Sequence, residues 1–305
     1  MKKLITLFLL VFFSCAYASS TIKFVVNYVP GGPSDAVVRA LQQPLSKELG
    51  QPVVVEYKPG AGGNIGIISV INSDPNDVVL TVNSPAVIIN SLIKIPKAYD
   101  STQLKPIAYL GRIPAVLAVG SKFPVTDLKQ WKNISKPMSS GTSGAGTASH
   151  ISSEIFKKQI NKDIVQVHYK GQAQILSDLI AGNIDMSFLF VNVAIQHIQS
   201  GSLVPIAVDS ENRLPGLPNT PTFTELGIDI GKNNWFIVFA NQTQDQKTLA
   251  RITTAFSKIL GDAGYSQPLR DIGLEIPNKK INVDDFYIKE HARIEKVLKT
   301  LEIEK

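Results

Sequence analysis

The chain has 305 residues, a formal net charge of +6, and a composition that is 44% hydrophobic and 18% charged. This length predicts two domains, and the composition supplies a hydrophobic core and excludes a disordered chain. No apolar run reaches the roughly 18 residues of a membrane-spanning helix, and the single cysteine, Cys15, excludes disulfide scaffolds, iron–sulfur proteins and zinc fingers.

Residues 1–18 have the three parts of a secretory signal peptide. A positively charged start is followed by an apolar run over 4–13 and by small residues at 16 and 18. We therefore predict cleavage after residue 18 and export to the periplasm. Two alternatives are a lipoprotein modified at Cys15, although residues 12–14 match a lipobox poorly, and a short hydrophobic helix that stays in the mature protein.

The first elements of the mature chain alternate between strand and helix. Buried strands are predicted at 22–28, 53–57 and 78–82, with helices at 34–49 and 65–71. Pro44 lies within the first helical pattern, where it either kinks the helix or starts a second one. This alternation is typical of a parallel sheet covered by helices, an α/β fold.

The same alternation returns in the middle of the chain and continues to its end. Prolines between 214 and 221 predict a rigid connection, because proline fits neither a helix interior nor a central strand. The final helix has an apolar face made of Phe286, Ile288, Ile294, Val297, Leu298 and Leu301. The predicted strands are 165–169, 186–190, 205–209 and 235–240, and the predicted helices are 148–160, 173–181, 193–199, 245–260 and 284–301.

Three glycine-rich loops precede predicted helices. Their sequences are PGGPSD at 30–35, PGAGGN at 59–64 and SSGTSGAGT at 139–147, and we name them the first, second and middle loops. A helix start offers free N–H groups and a partial positive charge, and glycine lets a ligand approach the backbone closely. Each loop is therefore a candidate anion cradle, although ordinary tight turns before a helix have the same composition.

The familiar enzyme patterns are absent. The middle loop lacks the Gly-Lys-Ser/Thr of a nucleotide-binding loop, and the second loop misses the dinucleotide-binding glycine spacing by one residue. The four histidines have no metal-ligand spacing, so we expect neither a metal nor a cofactor. One enzymatic alternative is a secreted hydrolase with Ser143 as nucleophile and His150 or His168 as base. Basic residues form no stripe with aromatic residues, which argues against nucleic-acid binding.

Motifs along nearly the whole mature chain resemble one family, the extracytoplasmic receptors of tripartite tricarboxylate transporters, also called the Bug family. The motifs are YVPGGPSD at 28–35, LGQPVVVE at 49–56, PGAGG at 59–63, GTSG at 141–144, YKG at 169–171, LIAGNID at 179–185 and LPNTPTFTELG at 217–227. Pro33 departs from the family pattern, which has glycine there, and it removes one N–H donor.

The resemblance implies a two-lobed periplasmic-binding fold of type II with two crossover segments, which we expect near 116–120 and 218–225. Lobe 1 would then contain 19–117 and 222–305, and lobe 2 would contain 118–221. It also implies that a small carboxylate binds between the lobes. Carried over by position, the implied ligand-binding residues are Gly31, Gly32, Ser34, Asp35, Ala61, Gly62, Gly63, Ser84, Thr142, Ser143, Gly144, Thr147 and Lys170.

Within that set, backbone N–H groups and hydroxyls are the expected donors. Asp35 is expected to accept from a bridging water or to order its own loop. Lys170 either balances the ligand charge or is simply solvated.

These patterns predict a non-enzymatic periplasmic receptor. It would deliver a small organic carboxylate to the membrane subunits of a transporter, and the family resemblance favours a monomer. An alternative with the same fold is a periplasmic sensor that docks on a histidine kinase. The identity of the carboxylate stays open, because selectivity depends on side chains at the far end of the cleft.

Overall fold

The computed structural model describes residues 21–93, 98–124, 127–231 and 233–301. The predicted signal peptide, residues 1–18 with Cys15, lies outside the described residues. The described strands are β1 (Ile22–Val26), β2 (Val53–Tyr57), β3 (Val79–Asn83), β4 (Leu104–Arg112), β5 (Ala115–Gly120), β6 (Met138–Thr142), β7 (Ile164–His168), β8 (Met186–Phe190), β9 (Leu203–Val208) and β10 (Trp235–Asn241). The described helices are α1 (Pro33–Leu49), α2 (Asn64–Ile71), α3 (Ala86–Leu92), α4 (Ala148–Ile160), α5 (Gln172–Ala181), α6 (Val191–Gln199), α7 (Gln246–Gly261), α8 (Ala263–Asp271) and α9 (Val283–Leu301).

The strands form two sheets of the same plan. The first has the order β2-β1-β3-β10-β4, and the second has the order β7-β6-β8-β5-β9. In the first sheet β1 is parallel to β2 and β3, whereas β10 is antiparallel to β3 and β4. In the second sheet β6 is parallel to β7 and β8, whereas β5 is antiparallel to β8 and β9. The expected α/β fold with two lobes is confirmed.

The chain crosses from one sheet to the other twice. The first strand that it forms after each crossing, β5 in the second sheet and β10 in the first, is the antiparallel strand of that sheet. The first connection is residues 113–114, and the second runs from 209 to 234. The expected crossing at 116–120 is wrong, because those residues pair inside β5 of the second sheet. The expected crossing at 218–225 lies inside the second connection. The full lobe boundaries stay a prediction.

Helix α1 shows why the local sequence folds as it does. Proline at its first position has no N–H to leave unpaired, and Gly50 ends the helix with a left-handed φ of 63°. Its buried face, which includes Leu41 and Leu45, packs on the first sheet, and burying each leucine stabilises the fold by about 1.5–3 kcal/mol. The helix continues through Pro44, so no second helix starts there.

Three further expectations are corrected. The first part of the middle loop, 139–142, belongs to strand β6, so the loop begins at Ser143. Ile288 is 67% exposed and does not belong to the buried face of α9, which is formed by Tyr287, Ile294 and Leu298. Strands β4, β5 and β6 and helices α3 and α8 were not predicted.

Within the described ranges, no helix combines the length and the apolar composition that crossing a bilayer requires.

Candidate functional site

The candidate site is a cavity of about 100 Å³ between the two sheets. It lies where the carboxyl ends of the parallel strands of both sheets meet, the edge at which α/β folds usually bind ligands. Both sheets contribute to its walls. The residues predicted from sequence that line it are Gly32, Ser34, Ser84, Ser143, Thr147 and Lys170. As ligand contacts they stay predictions.

Four described helices begin at this cavity, and in one of them, α6, which follows Phe190, the first N–H donates to the carbonyl of Pro114. The residues preceding α1, α4 and α5 are Gly32, Thr147 and Gly171, and all three line the cavity. None of the three helix starts is capped by a side-chain hydrogen bond. Their first N–H groups therefore need an external acceptor, and their dipoles favour negative charge in the cavity. The cavity is suited to an anion.

The first loop is held in place by Asp35. Its carboxylate accepts hydrogen bonds from Gly31 N at 2.8 Å, from Arg39 Nε at 2.9 Å and from the Tyr57 hydroxyl at 2.6 Å. Burial opposes ionisation of Asp35, but the hydrogen bonds from Tyr57, Gly31 and Arg39 outweigh it and keep the pKa of the carboxyl below its usual value. Asp35 thus orders its loop, and neither it nor Gly31 lines the cavity.

The second loop lies outside the cavity lining and packs instead against α3 of its own lobe and the middle loop of the opposite one. Ala61, Gly62 and Gly63 do not line the cavity. The carbonyl of Gly62 accepts a hydrogen bond of 3.0 Å from Asn90 Nδ2 on α3, and a Cβ at Gly62 would lie 3.6 Å from the carbonyl oxygen of Ala145. These contacts join the second loop, α3 and the middle loop across the cleft.

In the middle loop the predicted residues separate into two groups. Ser143 and Thr147 line the cavity, whereas Thr142 and Gly144 do not. The buried Thr142 hydroxyl lies 2.6 Å from His168 Nδ1 and is used there. Gly144 has a φ of 118°, and its carbonyl accepts from the Thr147 hydroxyl at 2.7 Å. The middle loop therefore contributes its end, next to α4, to the cavity.

Two histidines lie behind the middle loop. The rings of His150 and His168 meet edge to face with centroids 5.1 Å apart, and His150 Nδ1 accepts a hydrogen bond of 3.1 Å from Gly146 N. Burial, together with the neighbouring His168, lowers the pKa of His150 to about 4, so the ring is neutral at pH 7.

The geometry does not support the hydrolase alternative. In the part of the chain that the structure describes, the Ser143 hydroxyl has no hydrogen bond to His150 or His168, whose Nδ1 atoms are engaged elsewhere. Across the same residues, no three His, Cys, Asp or Glu side chains gather as metal ligands.

Sequence reasoning missed the aromatic part of the cavity. Phe188 and Phe190 on β8 and Phe236 on β10 line it, together with Ala115 at the start of β5. These residues looked like ordinary strand core. The available signal was topological, because β8, β5 and β10 end or begin at the same edge of their sheets as the glycine loops.

A buried ion pair joins the two connections beside this aromatic part. Arg112 Nη2 and the N–H of Ala115 both donate to Asp209 Oδ1 at 2.7 Å, and Asn234 Nδ2 donates to Asp209 Oδ2 at 2.6 Å. Burial raises the pKa of Asp209, and Arg112 and the other donors oppose that rise. The Asp209 carboxylate thus links residues at the ends of both connections between the sheets.

The sequence comparison decides the family. Residues 37–303 match the model of the tripartite tricarboxylate transporter family receptor, TctC. The chain belongs to this family. Members of the TctC family are periplasmic substrate-binding receptors and not enzymes, which confirms the expected family and its non-enzymatic class.

Individual relatives agree. Protein BugT of Bordetella pertussis is 29% identical over 254 residues, which cover 80% of this chain and 77% of BugT. The structure of the periplasmic binding protein BugD superimposes with a TM-score of 0.83 at 25% identity, covering 95% of this chain and all of that one. The structure of R. palustris Rpa4515 with adipate has a TM-score of 0.83 at 27% identity, covering 94% of this chain and 98% of that one.

Proposed function

We propose that this protein is a periplasmic receptor that captures a small organic carboxylate between its two lobes and delivers it to a tripartite membrane transporter. The observation that carries the proposal is the convergence of three uncapped helix starts, those of α1, α4 and α5, on one cavity. Two of these helices come from the lobe of the second sheet and one from that of the first. A bound carboxylate therefore favours the closed arrangement of the lobes.

The related structure that holds adipate supports the ligand class. A carboxylate matches the donors at the cavity, because backbone N–H groups and the hydroxyls of Ser34 and Ser143 donate to its two oxygens, whereas the Thr147 hydroxyl donates to the Gly144 carbonyl. Lys170 adds one positive charge. The same residues offer no arrangement for turnover, so the ligand leaves chemically unchanged.

The test is a thermal-shift screen of residues 19–305, refolded from denaturant to remove bound ligand. The panel contains monocarboxylates, dicarboxylates, tricarboxylates and neutral sugars. A ligand at 100 times its Kd stabilises the protein by about 2.7 kcal/mol, on the order of 5–10 °C for a chain of this size. A shift with carboxylates and none with sugars supports the proposal, and shifts with sugars alone overturn it.

Delivery needs a separate experiment. Transport is measured in vesicles that contain the membrane subunits of the transporter. These vesicles should accumulate labelled carboxylate only when the receptor is added. Accumulation that is equal without the receptor would contradict the delivery role. Light scattering coupled to size exclusion tests the monomer that the family resemblance favours.

A further inference from the structure

The side chains that line the cavity change from polar to aromatic along the edges of the two sheets. In the first sheet, β1 and β3 are followed by Ser34 and Ser84, and β10 then brings Phe236. In the second sheet, β7 and β6 are followed by Lys170 and Ser143, and β8 then brings Phe190. Both sheets therefore run from a polar end to an aromatic end in the same direction.

The aromatic end is closed by groups from both lobes. Phe190 and Phe236 have ring centroids 6.1 Å apart, and Ala115 lies beside Phe190 in the register of β5 and β8. Phe188 is buried and stacks on Phe223 with centroids 5.7 Å apart. This end offers flat apolar surfaces to a ligand.

The cavity lining has its positive charge at the other end. Among the residues that line the cavity, Lys170 is the one charged side chain, and it is exposed. The nearby arginines serve other partners, since Arg39 pairs with Asp35 and Arg112 pairs with Asp209. Asn234, the polar side chain at the aromatic end, is neutral and donates to Asp209.

From this gradient we propose that the cavity selects monocarboxylates with an apolar body over dicarboxylates of equal length. The inference rests on the proposed carboxylate-binding function and narrows its substrate class. One carboxylate is held by the helix starts, the hydroxyls and Lys170. A second carboxylate would lose its water against the rings of Phe190 and Phe236. No cation lines the cavity there, and the first N–H of the adjacent helix α6, that of Val191, already donates to the carbonyl of Pro114. An apolar chain or ring instead gains from burial there.

The test compares ligands of matched length by isothermal titration calorimetry: hexanoate against adipate, and 4-methylbenzoate against terephthalate. We expect each monocarboxylate to bind at least tenfold tighter than its dicarboxylate. Equal or tighter binding of adipate and terephthalate overturns this inference and leaves the carboxylate-receptor function standing. If none of the four acids binds, and the wider carboxylate panel also gives no shift, both proposals fail.

A charge placed at the aromatic end sharpens the test. Phe190→Lys adds a cation where the second carboxylate of adipate would lie, so the ratio of hexanoate to adipate affinity should fall at least tenfold. Ile288→Lys makes the same charge change on the exposed side of α9 and should leave the ratio unchanged. Should Phe190→Lys fail to fold, Phe190→Leu serves instead, and it should weaken 4-methylbenzoate by at least threefold more than hexanoate. No change in either ratio would contradict the assignment of this end to the apolar body.

Discussion

The first and second loops share a local plan but touch different parts of the molecule. Each follows a strand of the first sheet and precedes a helix, and each contains at least one glycine with positive φ. Gly32 and Ser34 of the first loop line the cavity, whereas the second loop contacts Asn90 and the middle loop. The difference follows from strand order: β2 is the edge strand, and β1 lies further inside the sheet. Position in the sheet, rather than glycine content, decides which loop lines the cavity.

The largest effect is expected where the second loop, α3 and the middle loop meet. A Cβ at Gly146 would overlap Asn90 Oδ1, so in Gly146→Ala either the Asn90 side chain gives up its bond to the Gly62 carbonyl or the two lobes move apart. With an overlap costing about 1–3 kcal/mol, the Kd of the tightest carboxylate of the panel should rise roughly 5- to 150-fold. Titration calorimetry measures this.

Gly182→Ala is the matched control for that variant. Gly182 has a φ of 85°, close to the 76° of Gly146, but a Cβ there meets nothing within 4 Å. Both variants therefore carry the backbone strain, and only Gly146→Ala carries the overlap. Adding Asn90→Ala should restore most of the lost affinity. Equal Kd values for the two single variants would show that the contact across the cleft has no role in closure.

Acid pH should destabilise the middle loop near Gly146 through protonation of His150. The pKa of His150 is lowered to about 4 in the folded protein, so the unfolded chain takes up the proton first, and stability is lost as the pH falls from about 6.5 towards 4. The loss is on the order of 2–3 kcal/mol, and protonation of Nδ1 also removes the acceptor of Gly146 N–H. Urea unfolding between pH 7 and 4.5 should show a shallower decline for His150→Gln. The same substitution at His291 on α9 is the control, and parallel pH profiles for all three proteins would sink the prediction.

On the first loop, Asp35→Ala should cost about 1–3 kcal/mol of stability, because it leaves Gly31 N–H and the Tyr57 hydroxyl without their acceptor. The pKa of Asp35 is held below its usual value, so its contribution is present at neutral pH and is lost as the pH falls below about 4. Chemical unfolding at pH 7 and pH 3.5 measures both. Asp77→Ala removes an exposed ion pair with Lys23 and should change stability by under about 1 kcal/mol. A loss as small for Asp35 as for Asp77 would contradict the anchoring role.

The smallest expected effect on Kd comes from removing a single hydroxyl near the first or the second loop. Ser34→Ala removes one neutral donor from the cavity and should raise Kd about 3- to 10-fold. Ser69→Ala, on α2 behind the second loop, removes a hydroxyl that is bonded to the Gly66 carbonyl and should leave Kd unchanged. Should both variants bind as the unchanged protein does, the first loop would not supply a side-chain donor.

Much of the fold could be predicted because periodicity and capping agree with the tertiary structure. Strand β8 and helix α4 have the predicted bounds, and α7 begins one residue after its cap, Asp245. Strand β6, Met138–Thr142, was missed because its Ser-Ser-Gly-Thr sequence is typical of a loop, and only pairing with β7 and β8 makes it a strand. Helix α8 was missed because Pro268 lies inside it.

The loops that line the cavity could be predicted from sequence, whereas its aromatic end could not. Glycines before helices identified Gly32, Ser34, Ser143 and Thr147, because the signal is local. Phe190 and Phe236 are 46 residues apart in sequence and lie on strands of different sheets, which meet only at the cavity. From sequence, a strand residue at the cavity therefore looks the same as one in the core. The second loop is expected at the ligand from its glycine pattern and from the family resemblance, and its absence from the cavity lining reflects the edge position of β2.

The sheet topology also decides how this molecule could be turned into an optical reporter. Strand β1 and helix α9, which lie at the two ends of the described chain, both pack with the first sheet, so fluorophores fused to the two termini would move together and give little signal. Residues 21–301 contain no cysteine, which leaves thiol labelling free for chosen positions. A dye pair on Val54 and Val165, exposed on the edge strands β2 and β7 of opposite sheets, would report lobe closure by energy transfer.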